Sequence, residues 1–427
     1  MLGAVCGTTA AAQLAFIEIQ IPATDSRPVG ITAGPDGNLW FTDPGADLIG
    51  RVQGERISTF ALADLSGPVG ITAGADGNLW FAENDRNRIG RITPAGSIIE
   101  FPLPTGGAQP FAICAGPDGN VWFTEAGADN IGRLTPDGVL TEFAIPTTLS
   151  LSVGIAAGAD GDLWFTELNG NKIARSTTDG TIAEFPLPAS GSEPFGITAG
   201  PDGNLWFTEF NGNRIGRITR SGDLSEFSLP TAHSSPAGIT AGPDNNVWFS
   251  AVGSNQIGRI TPAGAITEFA LPPGSLEGGS LFGGGITTGA DGALWVAANG
   301  SGRILRVVPA TPTPVLPVAT PTTTSLLPTA TVTATSGVGV TVSPTSTVPP
   351  TPAALPTATT TPPPTATRTG LPTTTMQASP TASGTAPPHG GGGGGCATSR
   401  APEAHRALAL AFLAPSALLV RRRSVQG

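Results

Sequence analysis

The sequence predicts an all-β fold, a seven-bladed β-propeller of four-stranded blades, followed by a disordered Thr/Pro-rich stalk and an apolar C-terminal segment. Three observations predict it. All seven tryptophans stand in register, Trp40, Trp80, Trp122, Trp164, Trp206, Trp248 and Trp295, at spacings of 40, 42, 42, 42, 42 and 47 residues, the period of a propeller blade. Each unit holds four short apolar runs parted by turn signals, as in GITAGPDGNLWFTEFNGNRIGRITRSGDLSEFSLP over Gly196–Pro230, and four strands in about 42 residues make one blade. The strand count also closes. The last unit has three strands (GITTG, ALWVAA, RILRVV) and lacks a fourth, while FIEIQIP at Phe16–Pro22 stands alone with Glu18 in register with the fourth-strand Glu100, Glu142, Glu184, Glu226 and Glu268. The N-terminal strand should therefore complete the last blade and leave no open edge, which would otherwise invite aggregation.

Taken in order, residues 1–15 open with MLGAVCGTTAAA, a small apolar stretch without a basic start. It reads either as the remnant of a secretory signal ending at Ala10-Ala11-Ala12 or as a ragged start. Residues 16–308 are the propeller. Between the first and second runs of each unit lies PDG or ADG, at Asp36, Asp76, Asp118, Asp160, Asp202 and Asp291, with Asn245 replacing the glycine after Asp244. Pro presets the turn, Asp caps it, and Gly or Asn accepts a positive φ. The second run (LWFTE) and the fourth (IAEFPLP) alternate with period two, as half-buried strands do. Arg51, Arg91, Arg133, Arg175, Arg217, Arg259 and Arg306 recur after the third run. Seven copies suit a structural role, pairing with a turn or strand carboxylate of the same blade. The second-run carboxylates Asp43, Glu83, Glu125, Glu167 and Glu209 give way to Ala251 and Ala298 in the last two units. They read as solvated or Arg-paired strand ends.

Residues 309–389 are Thr, Pro, Ala and Ser, with too little apolar surface to offset ordering entropy. At ~3.1 Å per residue this stalk could reach roughly 250 Å. Residues 390–427 run from Gly390–Gly395 through Cys396 to the apolar stretch Ala407–Val420 and Arg421-Arg422-Arg423. That order is similar to the C-terminal sorting tails of some Gram-negative surface proteins, with Cys396 as the processing or lipid-attachment point. A membrane anchor is the alternative, although 14 helical residues would fall short of a ~30 Å hydrocarbon core.

Charge divides the chain at the same place. Residues 1–308 hold thirty carboxylates against fifteen Lys/Arg, a formal charge of −15, whereas the remainder carries +5. An acidic body excludes nucleic acid, which needs clustered Lys/Arg. The three cysteines, Cys6, Cys114 and Cys396, offer neither metal spacing nor a disulfide framework. Only one of three histidines, His233, lies in the body, which limits acid–base chemistry near neutral pH.

A propeller ligand belongs at one mouth of the central channel, on the loops leading into the first strands: RPVGI, GPVGI, QPFAI, LSVGI, EPFGI, SPAGI and FGGGGI, the last after an enlarged loop, Pro272–Gly284. The units GPDGNLWFTE, NRIGRIT and IAEFPLP closely resemble the virginiamycin B lyase family of streptogramin-inactivating propellers, over nearly all of residues 16–308. The resemblance implies a seven-bladed fold in which Mg²⁺ and a catalytic His open a cyclic peptide's ester bond by elimination. It carries the two metal-binding Glu onto Glu193, before the lead-in proline, and Glu209, sixteen residues on at the end of WFTE. The catalytic His position is Phe195 and the second, substrate-facing His position is Val153. Without an imidazole there, nothing obvious removes the proton that elimination requires. The expectation is an exported, surface-displayed, monomeric propeller that binds a small-molecule, peptide or surface-protein ligand, held to membrane or envelope by its tail. The alternative is a Mg²⁺-dependent lyase built on Glu193, Glu209 and His233.

Overall fold

The structure, a computed structural model, describes residues 14–276 and 283–309 of the chain. The expected secretory remnant, the stalk, the sorting tail and Cys396 lie outside the described residues, apart from the first strand's Leu14 and Ala15 and the stalk's first residue, Pro309. Every described strand belongs to one of seven four-stranded antiparallel sheets. Blades one to six follow chain order, with first strands at Ile31–Ala33, Pro68–Ala73, Pro110–Ala115, Ser152–Ala157, Pro194–Ala199 and Pro236–Ala241. The seventh blade pairs Ile286–Thr288, Leu294–Ala298 and Arg303–Pro309 with Leu14–Gln20 as its outer strand. The closing strand lies two residues further toward the N-terminus than FIEIQIP suggested, with Leu14 opposite Pro309 and Gln20 opposite Arg303.

First strands of neighbouring blades touch around a full circle, including that of blade seven against that of blade one, so they line the axis. The turn between first and second strands ends in an indole clamp. The Trp40 Nε1–H donates to Asp36 Oδ1 at 3.0 Å, and the same bond recurs in all seven blades. The Asp thus serves two ends at once, capping its own turn and satisfying a buried indole. Each Trp in blades one to six stacks on an outer-strand Phe, from Trp40–Phe60 to Trp248–Phe269, at centroid distances of 5.4 to 5.6 Å.

The repeated arginines lie over these rings, Arg51 at 5.5 Å from Trp40 and 5.7 Å from Phe60. Their carboxylate pairing within the blade is present in part: Arg306 meets Asp291 at 2.8 Å, while Arg91–Asp76 and Arg217–Asp202 stand at 3.7 and 3.9 Å. The tighter bond crosses to the next blade. Arg51, Arg91, Arg133, Arg175 and Arg217 donate to the carbonyls of Pro94, Pro136, Thr178, Arg220 and Pro262 at 2.9 to 3.2 Å. A cation between two ring faces and a carbonyl is what fastens one blade to its neighbour.

Candidate functional site

In blades one, three, four and five one residue sets the geometry at the mouth. The Thr of the WFT triplet accepts a backbone N–H from the start of its own blade's first strand and donates to a carbonyl of the next blade. Thr42 Oγ1 accepts from Gly30 at 2.9 Å and donates to Val69 O at 2.6 Å. Thr124, Thr166 and Thr208 hold the carbonyls of Val153, Phe195 and Ala237 in the same way, at 3.2, 2.7 and 2.9 Å. In blades two to six the register also slips between the lead-in proline (Ser152 in blade four) and the Ile three residues on, a bulge that re-aims the residues inside it.

The residues so aimed are Val69, Phe111, Val153, Phe195 and Ala237, and Val29 and Gly284 hold the equivalent positions in blades one and seven. Val29, Val69, Phe111 and Val153 belong to one buried cluster with Phe195 packed against it. Phe111 and Phe195, two blades apart, meet edge to face at 6.1 Å, and Phe195 meets Phe210 at 6.1 Å. The channel mouth is therefore closed by aliphatic and aromatic side chains. Phe195 and Val153, the two positions where the resemblance expects imidazole, are part of that apolar seal, and Val153 is 1% exposed.

Sequence reasoning missed the rim. The residue three before each lead-in proline (or Ser152) adopts a left-handed backbone: Asp25, Leu65, Gly107, Leu149, Gly191 and His233, with φ from 56 to 72°. Leu65 and Leu149 are 67% and 62% exposed there. The available signal was a leucine standing where sister blades carry glycine. A left-handed residue with a side chain costs about 1–2 kcal/mol, more than the ~0.5–1 kcal/mol entropy that glycine loses. Leu149→Gly is therefore expected to raise the unfolding free energy by up to about 1 kcal/mol in a urea titration, as Gly107 and Gly191 already do in their blades.

The second-strand carboxylates are neither solvated nor uniformly Arg-paired, contrary to the sequence expectation. Asp43, Glu83, Glu125, Glu167 and Glu209 are all fully buried, because the lead-in proline (Ser152 in blade four) lies across them; Pro68 faces Glu83 and Pro194 faces Glu209. Asp43 accepts from Ser26 Oγ and, at 2.8 to 3.3 Å, from the backbone N–H of Arg27, Gly45 and Ala46. Both oxygens of Glu83 and Glu167 are buried without a well-formed hydrogen bond, Ser66 and Thr147 offering them only weak ones, and burial pushes Glu83, Glu125 and Glu167 up to about 7.

Glu209 alone is Arg-bound, accepting from Arg214 Nε and a terminal guanidinium nitrogen at 2.8 and 2.6 Å. Glu193 sits one residue before Pro194, half-buried, with φ of 53°, and burial raises its carboxyl. The fold thus sets Glu193, in the lead-in just before Pro194–Ala199, beside the end of the strand that carries Glu209. It leaves His233 on the tip of the following blade's lead-in loop, exposed, at the position equivalent to Gly191. Among the described residues no three His, Cys, Asp or Glu side chains gather into a metal-binding group. The positive charge at Glu209 comes from Arg214, leaving a single buried oxygen, Oε1, without a partner. Of the two carboxylates Glu209 is already held by the Arg214 guanidinium, and a Mg²⁺ on Glu193 and Glu209 would take the rest of its shell from water. Cys114 supplies no nucleophile either, since burial pushes its thiol up to about 12.

Comparison with known proteins agrees with the fold. The model of the virginiamycin B lyase family matches residues 7–151 and 66–278. A solved streptogramin B lyase is 38% identical, covering 70% of this chain and 100% of its own, with a TM-score of 0.66. A catalytically inactive His-to-Ala virginiamycin B lyase from Staphylococcus aureus, solved with quinupristin, is 38% identical over 69% of this chain and 99% of its own, at 0.65. Hydrazine synthase from Kuenenia stuttgartiensis shares the fold alone, with 13% identity over 72% of this chain and 99% of its own, at 0.55. No curated protein matches the chain.

Proposed function

The chain belongs to the virginiamycin B lyase family, and from that premise we propose that it is a binding propeller, displayed outside the cell on its Thr/Pro-rich stalk, rather than a ring-opening enzyme. One observation carries the reading. None of the seven lead-in positions at the mouth, Val29, Val69, Phe111, Val153, Phe195, Ala237 and Gly284, is a histidine, and Phe195 and Val153, where the resemblance expects imidazole, belong to its apolar packing. Elimination needs a base within hydrogen-bond reach of the proton it removes, and a hydrocarbon seal supplies none.

What that surface suits is contact with apolar groups. Phe111, Phe195 and Phe210 form an aromatic floor, and Leu65 and Leu149 stand exposed on the surrounding loops. Exposed apolar side chains held in costly backbone conformations mark a recognition surface. The ligand class is a peptide or protein face with apolar side chains. Export and display rest on residues 309–427: a Thr/Pro spacer, Cys396, an apolar run and an Arg cluster suit a protein held away from a surface.

The test is a turnover assay on the purified chain with quinupristin, with Mg²⁺ and with EDTA, read by mass spectrometry. The expected result is no linearised product under either condition. Mg²⁺-dependent ring opening would overturn the reading in favour of a lyase using Glu193, Glu209 and His233, and Glu193→Gln should then abolish the activity.

A further inference from the structure

Five of the seven blade junctions are built alike, and the junction that closes the ring between blades seven and one lacks two of their parts. At the five junctions from blade one–two to blade five–six, an outer-strand Phe covers the Trp, and the blade's Arg donates to a carbonyl in the next blade's outer turn. The turn glycine of that next blade, Gly96, Gly138, Gly180, Gly222 or Gly264, lies against the Phe ring. At the junction of blades seven and one, the Phe position is Ile19, opposite Ile304 as Phe101 is opposite Ile89. The outer turn of blade one is also shorter by one residue, with Val52 facing Ile57 where Ile92 faces Ile98. Its glycine, Gly54, has open space beside it. Among the described residues Arg306 donates to Asp291 and reaches no carbonyl of blade one.

The space left by these two losses is a cavity of about 270 Å³, floored by Trp295, Ile17 and Ile19 and edged by Gly54, Glu55 and Arg306. It opens at the end of the strands remote from the mouth, since Asn38 and Asp291 of the first turns line it. It is thus separate from the surface proposed above and does not depend on that reading.

We propose that this closure seam binds an aromatic residue of a partner peptide. The occupant is specified by what the sister junctions contain: a phenyl ring stacked beside an indole and a peptide carbonyl accepting from the Arg. A Phe residue in an extended segment supplies both from one residue, its ring entering over Trp295 and its backbone carbonyl meeting the Arg306 guanidinium. The ring brings dispersion and apolar burial and the carbonyl brings direction. The rim carboxylates Glu55 and Asp291 disfavour an acidic side chain beside it.

N-acetyl-L-phenylalaninamide carries this minimal chemistry and is the probe, with N-acetyl-L-leucinamide as the control, both read by saturation-transfer NMR on the full chain. The phenylalanine probe should bind with Kd on the order of millimolar, and the leucine control at least several-fold more weakly. Ile19→Phe restores the ring that six other blades carry, so it should fold, melt a few degrees higher and lose the probe signal at least tenfold. Arg306→Gln keeps the apolar floor and should weaken the amide probe several-fold while leaving toluene binding unchanged. Equal signals from both probes, or a phenylalanine signal that survives Ile19→Phe, would overturn the proposal.

Discussion

Deleting residues 14–20 is expected to abolish the folded propeller, although it removes a single strand. That strand makes seven register pairs with Arg303–Pro309. Ile19 joins Ile21, Leu39, Phe41, Leu48, Trp295 and Ile304 in one buried cluster that spans blades seven and one. Fully burying an Ile side chain contributes about 1.5–3 kcal/mol. Losing Ile19, uncovering Ile21 and exposing Trp295 and the edge of Arg303–Pro309 therefore takes away an amount comparable with the whole stability of a typical domain, about 5–15 kcal/mol. The freed edge would also pair with other chains. Near-UV circular dichroism and size exclusion should show a loss of fixed tertiary structure and aggregation. A permuted chain, with residues 14–20 rejoined after Pro309 through a copy of the TPAGS turn at Thr93–Ser97, should recover the parent's melting, since Leu14 and Pro309 already lie opposite each other. A deletion variant that melts cooperatively within a few degrees of the parent would show that ring closure does not hold this fold.

That the closing strand could be placed from sequence follows from periodicity. Glu18 is in phase with five other glutamates because register is inherited along a repeat, and one missing fourth strand in the last unit leaves one place for it. Turn chemistry was legible for the same reason, as PDG fixes backbone geometry within three residues. The site was legible only as vacancies: Phe195 and Val153 could be placed against a family pattern, but not that they seal the mouth with Phe111. That seal depends on side chains two blades apart, about 84 residues in sequence (Phe111 to Phe195), meeting across the axis. The arginines' second partner was hidden for a related reason. Within one unit the nearest opposite charge is the turn Asp, whereas the stronger partner is a neutral carbonyl 43 to 45 residues on, as for Arg51 and Pro94. The second-strand carboxylates were misjudged because strand ends are usually wet, and only the lead-in loop folding back over them makes them dry.

Those dry carboxylates set the other large effect, a stability that falls as pH rises through neutrality. Burial is the first cause of the upward shift in Glu83, Glu125 and Glu167 to about 7; the nearby Glu100, Glu142 and Glu184 add to it. In the unfolded chain the same groups titrate near 4.5, so folding takes up protons between about pH 4.5 and 7. The stability tied to them is fully present below pH 4.5 and is lost as pH rises through 7. Each shift corresponds, after relaxation around the ionised group, to something on the order of 1–2 kcal/mol, hence several in all. The turn aspartates run the other way. Burial opposes them, but hydrogen bonds from the turn Asn or backbone and from the Trp indole hold Asp36, Asp76, Asp118, Asp202, Asp244 and Asp291 below the ordinary value. Their contribution is present above pH 3.8 and fades only below it. Maximum stability should thus fall between about pH 4 and 6, on the acid side of neutrality. Urea titrations should give a lower midpoint at pH 8 than at pH 5. The triple variant Glu83→Gln, Glu125→Gln, Glu167→Gln should level that difference by holding the neutral form at both pH values. Equal midpoints in the parent would mean that water or a cation reaches these carboxylates at high pH. Ala251 and Ala298, the buried counterparts in blades six and seven, show that the fold itself does not need a carboxyl there; Asp43 and Glu209 are raised by burial in the same sense, so the pH dependence is a property of the carboxylate-bearing blades and not of the propeller as such.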